Sequence, residues 1–141
     1  MFRRCVCIAP AVVLVGLSTA HAADTTLTLA CEGTATVGTM GDAKPEPVSM
    51  GIIVNFTKQT VHGFGYPGLT DYPVNITGAN EVTVAFVGRR DRGFSKDSTM
   101  GSIDRVTGDL EATLTTTDSK TGKTITSTSY ALKCRPAQRM F

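Results

Sequence analysis

The chain has 141 residues, the size of one domain, and 41% of them are hydrophobic, so it is long enough to bury a core. Its formal charge is +2, from 14 Lys and Arg against 12 Asp and Glu. A charge this close to zero gives no electrostatic basis for binding nucleic acid or an anionic membrane. We therefore expect neither of them as a partner.

The N-terminus has the three parts of a secretory signal peptide. Two arginines are followed by an apolar run over residues 6–17 and then by Ala20-His21-Ala22. This order predicts cleavage after Ala22. A membrane span needs about 20 apolar residues, and this run is shorter and contains Pro10 and Gly16. We therefore divide the chain into a signal peptide, residues 1–22, and a single domain, residues 23–141, which is exported to the periplasm or secreted without membrane insertion.

Cleavage changes both the charge and the number of cysteines. The two signal arginines leave, so 12 Lys and Arg remain against 12 Asp and Glu, and the mature protein is formally neutral. Cys5 and Cys7 also leave, whereas Cys31 and Cys134 remain near the two ends of the domain. Such a pair in an oxidising compartment predicts one disulfide. A metal site is disfavoured because there is no CxxC motif and little histidine to complete it.

Alternating apolar and polar residues predict β-strands along the mature chain, and no segment shows a convincing helical period. The clearest alternation runs from Val48 to Phe56. Glycines and prolines over residues 38–47 predict a long surface loop, and charges over residues 88–97 predict a second loop. The other strands are predicted at residues 25–31 with a continuation to 37, at 61–64, 72–77 and 82–86, and in two linked hairpins over 99–134.

Two turns and the cysteine pair indicate how these strands are connected. Asp-x-x-Thr-Gly begins at Asp104 and again at Asp118, and both motifs predict hairpin turns, because Asp accepts a backbone N–H while Gly adopts a positive φ. About eight short strands are typical of a sandwich or a barrel. An open meander leaves two exposed edges, and a disulfide between the first and last strands favours closure. We predict an all-β, antiparallel up-and-down barrel, with an open β-sandwich as the alternative.

The residues that common catalytic and metal sites need are missing from the mature sequence. His62 is the one histidine left after cleavage, and there is no Walker motif, GxGxxG after a strand, or EF-hand loop. A fold can bring carboxylates together at any spacing, but the candidates lie mostly at turns or on predicted solvent faces: Glu46, Glu81, Asp104 and Glu111. We therefore predict a protein that is not an enzyme, with no catalytic residue, metal or cofactor.

One candidate binding loop displays aromatic residues among glycines and prolines. Phe64, Tyr66 and Tyr72 lie within residues 63–73. Aromatic side chains in such a loop can stack on sugars or grip a peptide. The alternative is that the loop folds its aromatic residues onto the end of the barrel.

The second candidate binding loop is the charged segment over residues 88–97. Its residues of interest are Arg89, Arg90, Arg92, Phe94 and Lys96. Arginine forks suit carboxylates, sulfates and phosphates. Asp91 and Asp97 dilute this charge, so the alternative is a solvated hairpin tip.

Four segments and the short signal resemble a known group of proteins. The segments are Lys-Pro-Glu-Pro-Val-Ser-Met-Gly-Ile-Ile-Val at 44–54, Gly-Phe-Gly-Tyr-Pro-Gly at 63–68, Gly-Ser-Ile-Asp-Arg-Val-Thr-Gly at 101–108 and the terminus at 130–141. Over nearly the whole mature length the chain resembles small uncharacterised exported proteins of rhizobial-type alphaproteobacteria. The resemblance implies a bacterial periplasmic or secreted location and carries no established activity.

These observations predict an exported, non-enzymatic binding or structural protein whose partner is a protein or small ligand of the cell envelope. One alternative is a periplasmic inhibitor of a hydrolase such as lysozyme, in which the loop over residues 88–97 enters the active site. Another alternative is a lipocalin-like carrier of a small apolar ligand. A carrier needs an interior too large for its own side chains to fill.

Overall fold

The computed structural model describes residues 26–38, 43–64, 72 and 74–137. In these ranges eight antiparallel strands follow one another in a closed meander barrel, and the first strand pairs with the last. The strands are β1 Thr26–Gly38, β2 Pro45–Asn55, β3 Thr60–His62, β4 Val74–Ala79, β5 Thr83–Asp91, β6 Ser95–Asp104, β7 Asp109–Asp118 and β8 Thr124–Pro136. The predicted barrel is confirmed in place of the open sandwich. The predicted signal peptide, residues 1–22, lies outside the described residues.

The barrel interior is built by the alternation seen in the sequence, because successive residues of a strand point to opposite faces. The inward side chains Ile52 of β2 and Phe86 of β5 are at most 1% exposed. Phe64, just after β3, packs against Phe86 with 5.1 Å between ring centroids, and its ring lies 6.3 Å from that of Tyr130 on β8. Each such side chain contributes about 1.5–3 kcal/mol on burial, so this packing is the main stabilising element of the fold.

The disulfide joins the two strands that close the barrel. Cys31 of β1 and Cys134 of β8 are direct partners in the strand register, with 4.0 Å between their Cα atoms, and the predicted bond is present. Two residues along β1, a Cβ on Gly33 would lie 2.2 Å from the carbonyl oxygen of Ala131. The seam between β1 and β8 is therefore closed by a covalent bond and by a close backbone approach that needs glycine.

The two Asp-x-x-Thr-Gly motifs form the predicted hairpin turns with the same bonding pattern. In each, Oδ1 of Asp104 or Asp118 accepts the backbone N–H groups two and three residues further on, at 2.7–3.0 Å. The closing Gly108 and Gly122 have φ values of 77° and 68°. The backbone N–H of the motif's threonine stabilises the ionised carboxylate most strongly, and the pKa of both aspartates lies below the usual 3.8.

Both predicted long loops are shorter in the structure. β2 begins at Pro45, inside the predicted loop over residues 38–47, and residues 39–42 lie outside the described ranges. β3 pairs with β2 only at the last three residues of β2, Ile53 to Asn55. At the start of β2, Pro45 and Pro47 pair with β1 but have no described partner strand on the other side. A missing N–H is tolerated at such an edge. The predicted loop over residues 88–97 is also wrong in extent, because β5 runs to Asp91 and β6 begins at Ser95.

The strand connections lie alternately at two ends of the barrel. The end with the β5–β6 and β7–β8 connections, residues 92–94 and 119–123, is called the tip end. The opposite end carries the β4–β5 and β6–β7 connections, residues 80–82 and 105–108. No helix within the described ranges is long and apolar enough to cross a membrane.

Candidate binding site

Asp97 is the centre of an ion-pair cluster inside the tip end of the barrel. Its Oδ2 accepts hydrogen bonds from Nε and Nη2 of Arg90 at 3.2 and 3.0 Å and from Nε of Arg92 at 2.7 Å. Oδ1 accepts the hydroxyl of Thr116 at 2.9 Å. These four residues form the Asp97 cluster. The Asp97 side chain is only 6% exposed, and such a buried charge is tolerated because both oxygens are paired.

The Asp97 cluster carries one excess positive charge. Burial by itself opposes ionisation of Asp97, but the hydrogen bonds from Thr116, Arg90 and Arg92 outweigh it and hold the pKa of the carboxyl below 3.8. Two guanidinium groups therefore surround one carboxylate at neutral pH. Both arginines were candidate binding residues, and the structure shows them holding β5 and β6 together.

The two described residues of the aromatic loop, Phe64 and Tyr72, lie in different environments. Phe64 is 1% exposed and belongs to the core, so it is not displayed in a loop. The Tyr72 ring lies 4.5 Å from the Arg90 guanidinium, and its hydroxyl is 2.5 Å from Oγ1 of Thr99. Tyr66 lies outside the described residues. The two described aromatic residues thus pack onto the barrel interior and onto the Asp97 cluster.

The β5–β6 connection is a tight turn with a fixed backbone. Gly93 has a φ of 83° and donates its N–H to Oδ1 of Asp91 at 2.7 Å. From the neighbouring β7–β8 connection, Ser119 donates its N–H to the carbonyl oxygen of Phe94 at 3.0 Å. Phe94 itself is 73% exposed, so its ring is held out into solvent on a turn with a fixed backbone.

Exposed cations accompany Phe94 at the tip end. They are Arg89, Lys96, Lys120 and Lys123. None of these four side chains forms an ion pair with another described residue. We call Phe94 and these four cations the tip surface. The four cations outnumber the carboxylates of Asp91 and Asp118 at the same end, and an apolar anchor beside an excess of positive charge is suited to recognising a complementary acidic surface.

Sequence reasoning missed the role of Asp97, although the alternation contained a signal for it. Phe86 and Gly88 precede Arg90 on one face of β5, and Asp97 precedes Thr99 on one face of β6, so both charged residues fall at inward positions. The register then places Arg90 directly opposite Asp97. Opposite charges at paired inward positions were the available clue to this ion pair.

Outside the tip end, the described residues offer little for metal or acid–base chemistry. A groove of about 570 Å³ is lined by residues of β4 to β8, and Glu111 is the one charged residue among them. His62 is half-buried on β3. No group of three His, Cys, Asp or Glu residues in the described ranges lies close enough to hold a metal ion. The tip surface is therefore the strongest candidate for recognition.

Comparison of the chain with protein-family models, curated proteins and solved structures found no match.

Proposed function

We propose that this chain is an exported, non-enzymatic binding protein that recognises a partner protein through the tip surface. The observation that carries the proposal is the 73% exposure of Phe94 on a turn whose backbone is held by Asp91 on one side and Ser119 on the other. Aromatic residues, phenylalanine among them, are enriched at protein interfaces, where a few well-packed side chains carry most of the binding energy.

Location outside the cytoplasm is part of the proposal. Disulfides form and persist in oxidising compartments, and the bond between Cys31 and Cys134 fits such a compartment. The signal sequence over residues 1–22 and the resemblance to exported bacterial proteins favour the periplasm or the exterior of a bacterial cell.

The tip surface combines two contributions to binding. Burying Phe94 in a partner's apolar pocket contributes about 1.5–3 kcal/mol, and because the turn is already ordered, little of this is lost to fixing the backbone. The cations at the tip end accelerate encounter with an acidic surface. The expected partner therefore presents an apolar pocket with carboxylates at its rim.

A second candidate function is inhibition of a glycoside hydrolase such as lysozyme. Such enzymes carry a pair of carboxylates in an open cleft. An aromatic residue on a tight hairpin with Arg89 and Lys96 on its flanks suits that cleft, because arginine pairs with carboxylates through two parallel bonds. Slower lysis of a cell-wall suspension by lysozyme, with no slowing by the Phe94→Ser variant, would support this candidate. Equal lysis rates with and without the protein would exclude lysozyme as the partner.

The proposal is tested by affinity capture from periplasm and culture medium with the mature oxidised protein. The matched pair of variants is Phe94→Ser and Val106→Ser, because these side chains are 73% and 75% exposed on turns at opposite ends of the barrel. We expect one specific protein to be retained by the wild type and by Val106→Ser and to be lost with Phe94→Ser. Retention by Phe94→Ser at the wild-type level, with both variants folded by circular dichroism, would refute binding through the tip.

A further inference from the structure

A second pocket lies on the outer wall of the barrel, where β5, β6 and β7 reach the tip end. Its volume is about 490 Å³. Arg90, Asp97 and Thr116 point inward into the Asp97 cluster, so their strand neighbours point outward by alternation. We call this the outer pocket, and the outward residues that line it are Arg89, Asp91, Lys96, Ser98 and Thr117.

The strand register brings two cations to this pocket. Arg89 lies opposite Ser98, and Lys96 lies opposite Asp91 on one side and Thr117 on the other. Arg89 and Lys96 are therefore diagonal neighbours, with Cα atoms separated by about 7–8 Å. Side chains of this length on one face can meet at a common point, where two like charges favour a shared anion.

Neither nearby carboxylate forms an ion pair with these two cations, although Asp91 lines the pocket opposite Lys96. Asp91 accepts the N–H of Gly93 at 2.7 Å and forms no ion pair with Lys96 or Arg89. Asp97 points inward and binds the two arginines of its cluster. Among the described residues, Arg89 and Lys96 therefore share one pocket without forming an ion pair there, and together with Asp91 the outward side chains of the pocket carry a net charge of +1.

We propose that the outer pocket binds a tetrahedral oxyanion, a phosphate or sulfate group. Two positive side chains attract a doubly charged anion more strongly than they attract a singly charged carboxylate. Arg89 supplies paired N–H donors, Lys96 supplies a point charge, and Ser98 adds a hydroxyl donor. The group is either a free inorganic ion or the head group of a larger molecule. Arg89 and Lys96 also belong to the tip surface, but this inference does not depend on the proposed function, since Phe94 takes no part in it.

The test is a titration of the ¹⁵N-labelled mature oxidised protein with sodium phosphate, sodium sulfate and sodium acetate at constant ionic strength, followed by NMR. We expect saturable amide shifts over residues 89–91 and 96–98 with phosphate and sulfate and weaker binding of acetate. Replacing both cations, Arg89→Gln with Lys96→Gln, should weaken phosphate binding at least about tenfold, because charge-assisted hydrogen bonds are lost.

The matched control is Lys120→Gln with Lys123→Gln, which removes the same charge from the same end of the barrel but outside the outer pocket. This control and Phe94→Ser should bind phosphate as the wild type does. A loss of phosphate binding is therefore distinguishable from the loss of partner capture that is expected for Phe94→Ser. Shifts that do not saturate, or an equal loss in both double variants, would overturn the proposal.

The source of the anion is resolved by sedimentation with phosphatidylcholine vesicles with and without phosphatidic acid. Co-sedimentation that needs phosphatidic acid and is lost in the Arg89 and Lys96 double variant would support a lipid head group. Phosphate binding without co-sedimentation would support a soluble anion. Co-sedimentation that survives in the double variant would contradict the assignment of these two residues.

Discussion

The variant Asp97→Asn removes the carboxylate that neutralises two guanidinium groups inside the barrel. Removing one partner of a fully buried ion pair costs about 3–5 kcal/mol. The side chains of Arg90 and Arg92 remain 24% and 22% exposed, so water screens part of the charge that is left unpaired. We therefore expect the free energy of unfolding to fall by about 2–3 kcal/mol, a large fraction of the stability of a small domain.

The assay is urea denaturation at pH 7 with the disulfide intact, followed by circular dichroism. The matched control is Asp109→Asn, because Asp109 pairs with Lys133 at 2.9 Å on the surface, where these side chains are 56% and 65% exposed. Exposed pairs contribute little, so we expect no measurable change for the control. An Asp97→Asn variant as stable as the wild type would refute a stabilising role for the cluster.

Asp97 also gives the stability a pH dependence of definite sign. Its pKa is lower in the folded state than the ordinary 3.8, so its contribution is complete above about pH 5 and is lost as the pH falls through the folded value. The wild type should therefore lose more stability between about pH 5 and pH 2 than Asp97→Asn does. The other aspartates with a lowered pKa are present in both proteins, so equal acid sensitivity would contradict this role of Asp97.

Three further predictions concern closure, packing and the interior. The double variant Cys31→Ser with Cys134→Ser should lower the free energy of unfolding in urea by up to about 4.7 kcal/mol, because the bond closes a loop of about 100 residues; no loss would contradict this. Gly101→Ala should lower it by about 1–3 kcal/mol, since its Cβ would lie 2.4 Å from the Glu111 carbonyl oxygen. Gly78→Ala, with nothing within 4 Å, should be neutral, and equal effects would refute the packing argument. A fluorescent fatty acid should show no enhancement with the folded protein, because aromatic rings occupy the interior, and an enhancement would favour the carrier.

Much of the fold could be predicted because its determinants are local. The alternation over Val48 to Phe56 identifies β2, and the motifs at Asp104 and Asp118 identify two turns through bonds within five residues of chain. Closure of the barrel was predicted from a longer-range signal. Cys31 and Cys134 lie on the first and last predicted strands, and two cysteines of an exported protein are expected to form a disulfide.

The charged segment over residues 88–97 was predicted as a loop because charges usually indicate solvated chain. Two of its residues, Arg90 and Asp97, instead pair with each other inside the barrel, and β5 and β6 continue through the segment as a long hairpin. Local polarity does not distinguish a solvated charge from a paired one. Pairing depends on the register between two strands, which the sequence shows only through the alternation of inward positions.

Phe64 is a second case in which tertiary packing decided the outcome. The glycines and prolines around it left two alternatives, a displayed loop or aromatic residues folded onto the end of the barrel, and Phe64 goes further than the second, since it enters the core and contacts Phe86. Gly63 permits this with a φ of 120° and a close approach to β2, where a Cβ would lie 2.2 Å from the Gly51 carbonyl oxygen. A contact between distant backbones of this kind has no local signature.

The most direct test of recognition through the tip is photo-crosslinking in cells that produce the full chain. Two variants are compared, Phe94→p-benzoylphenylalanine at the tip end and Val106→p-benzoylphenylalanine on the equally exposed turn at the opposite end. Our proposal predicts a specific protein adduct at position 94, recovered from periplasm or medium and absent at position 106. An adduct at position 106 without one at position 94, or no adduct at either position, would contradict it.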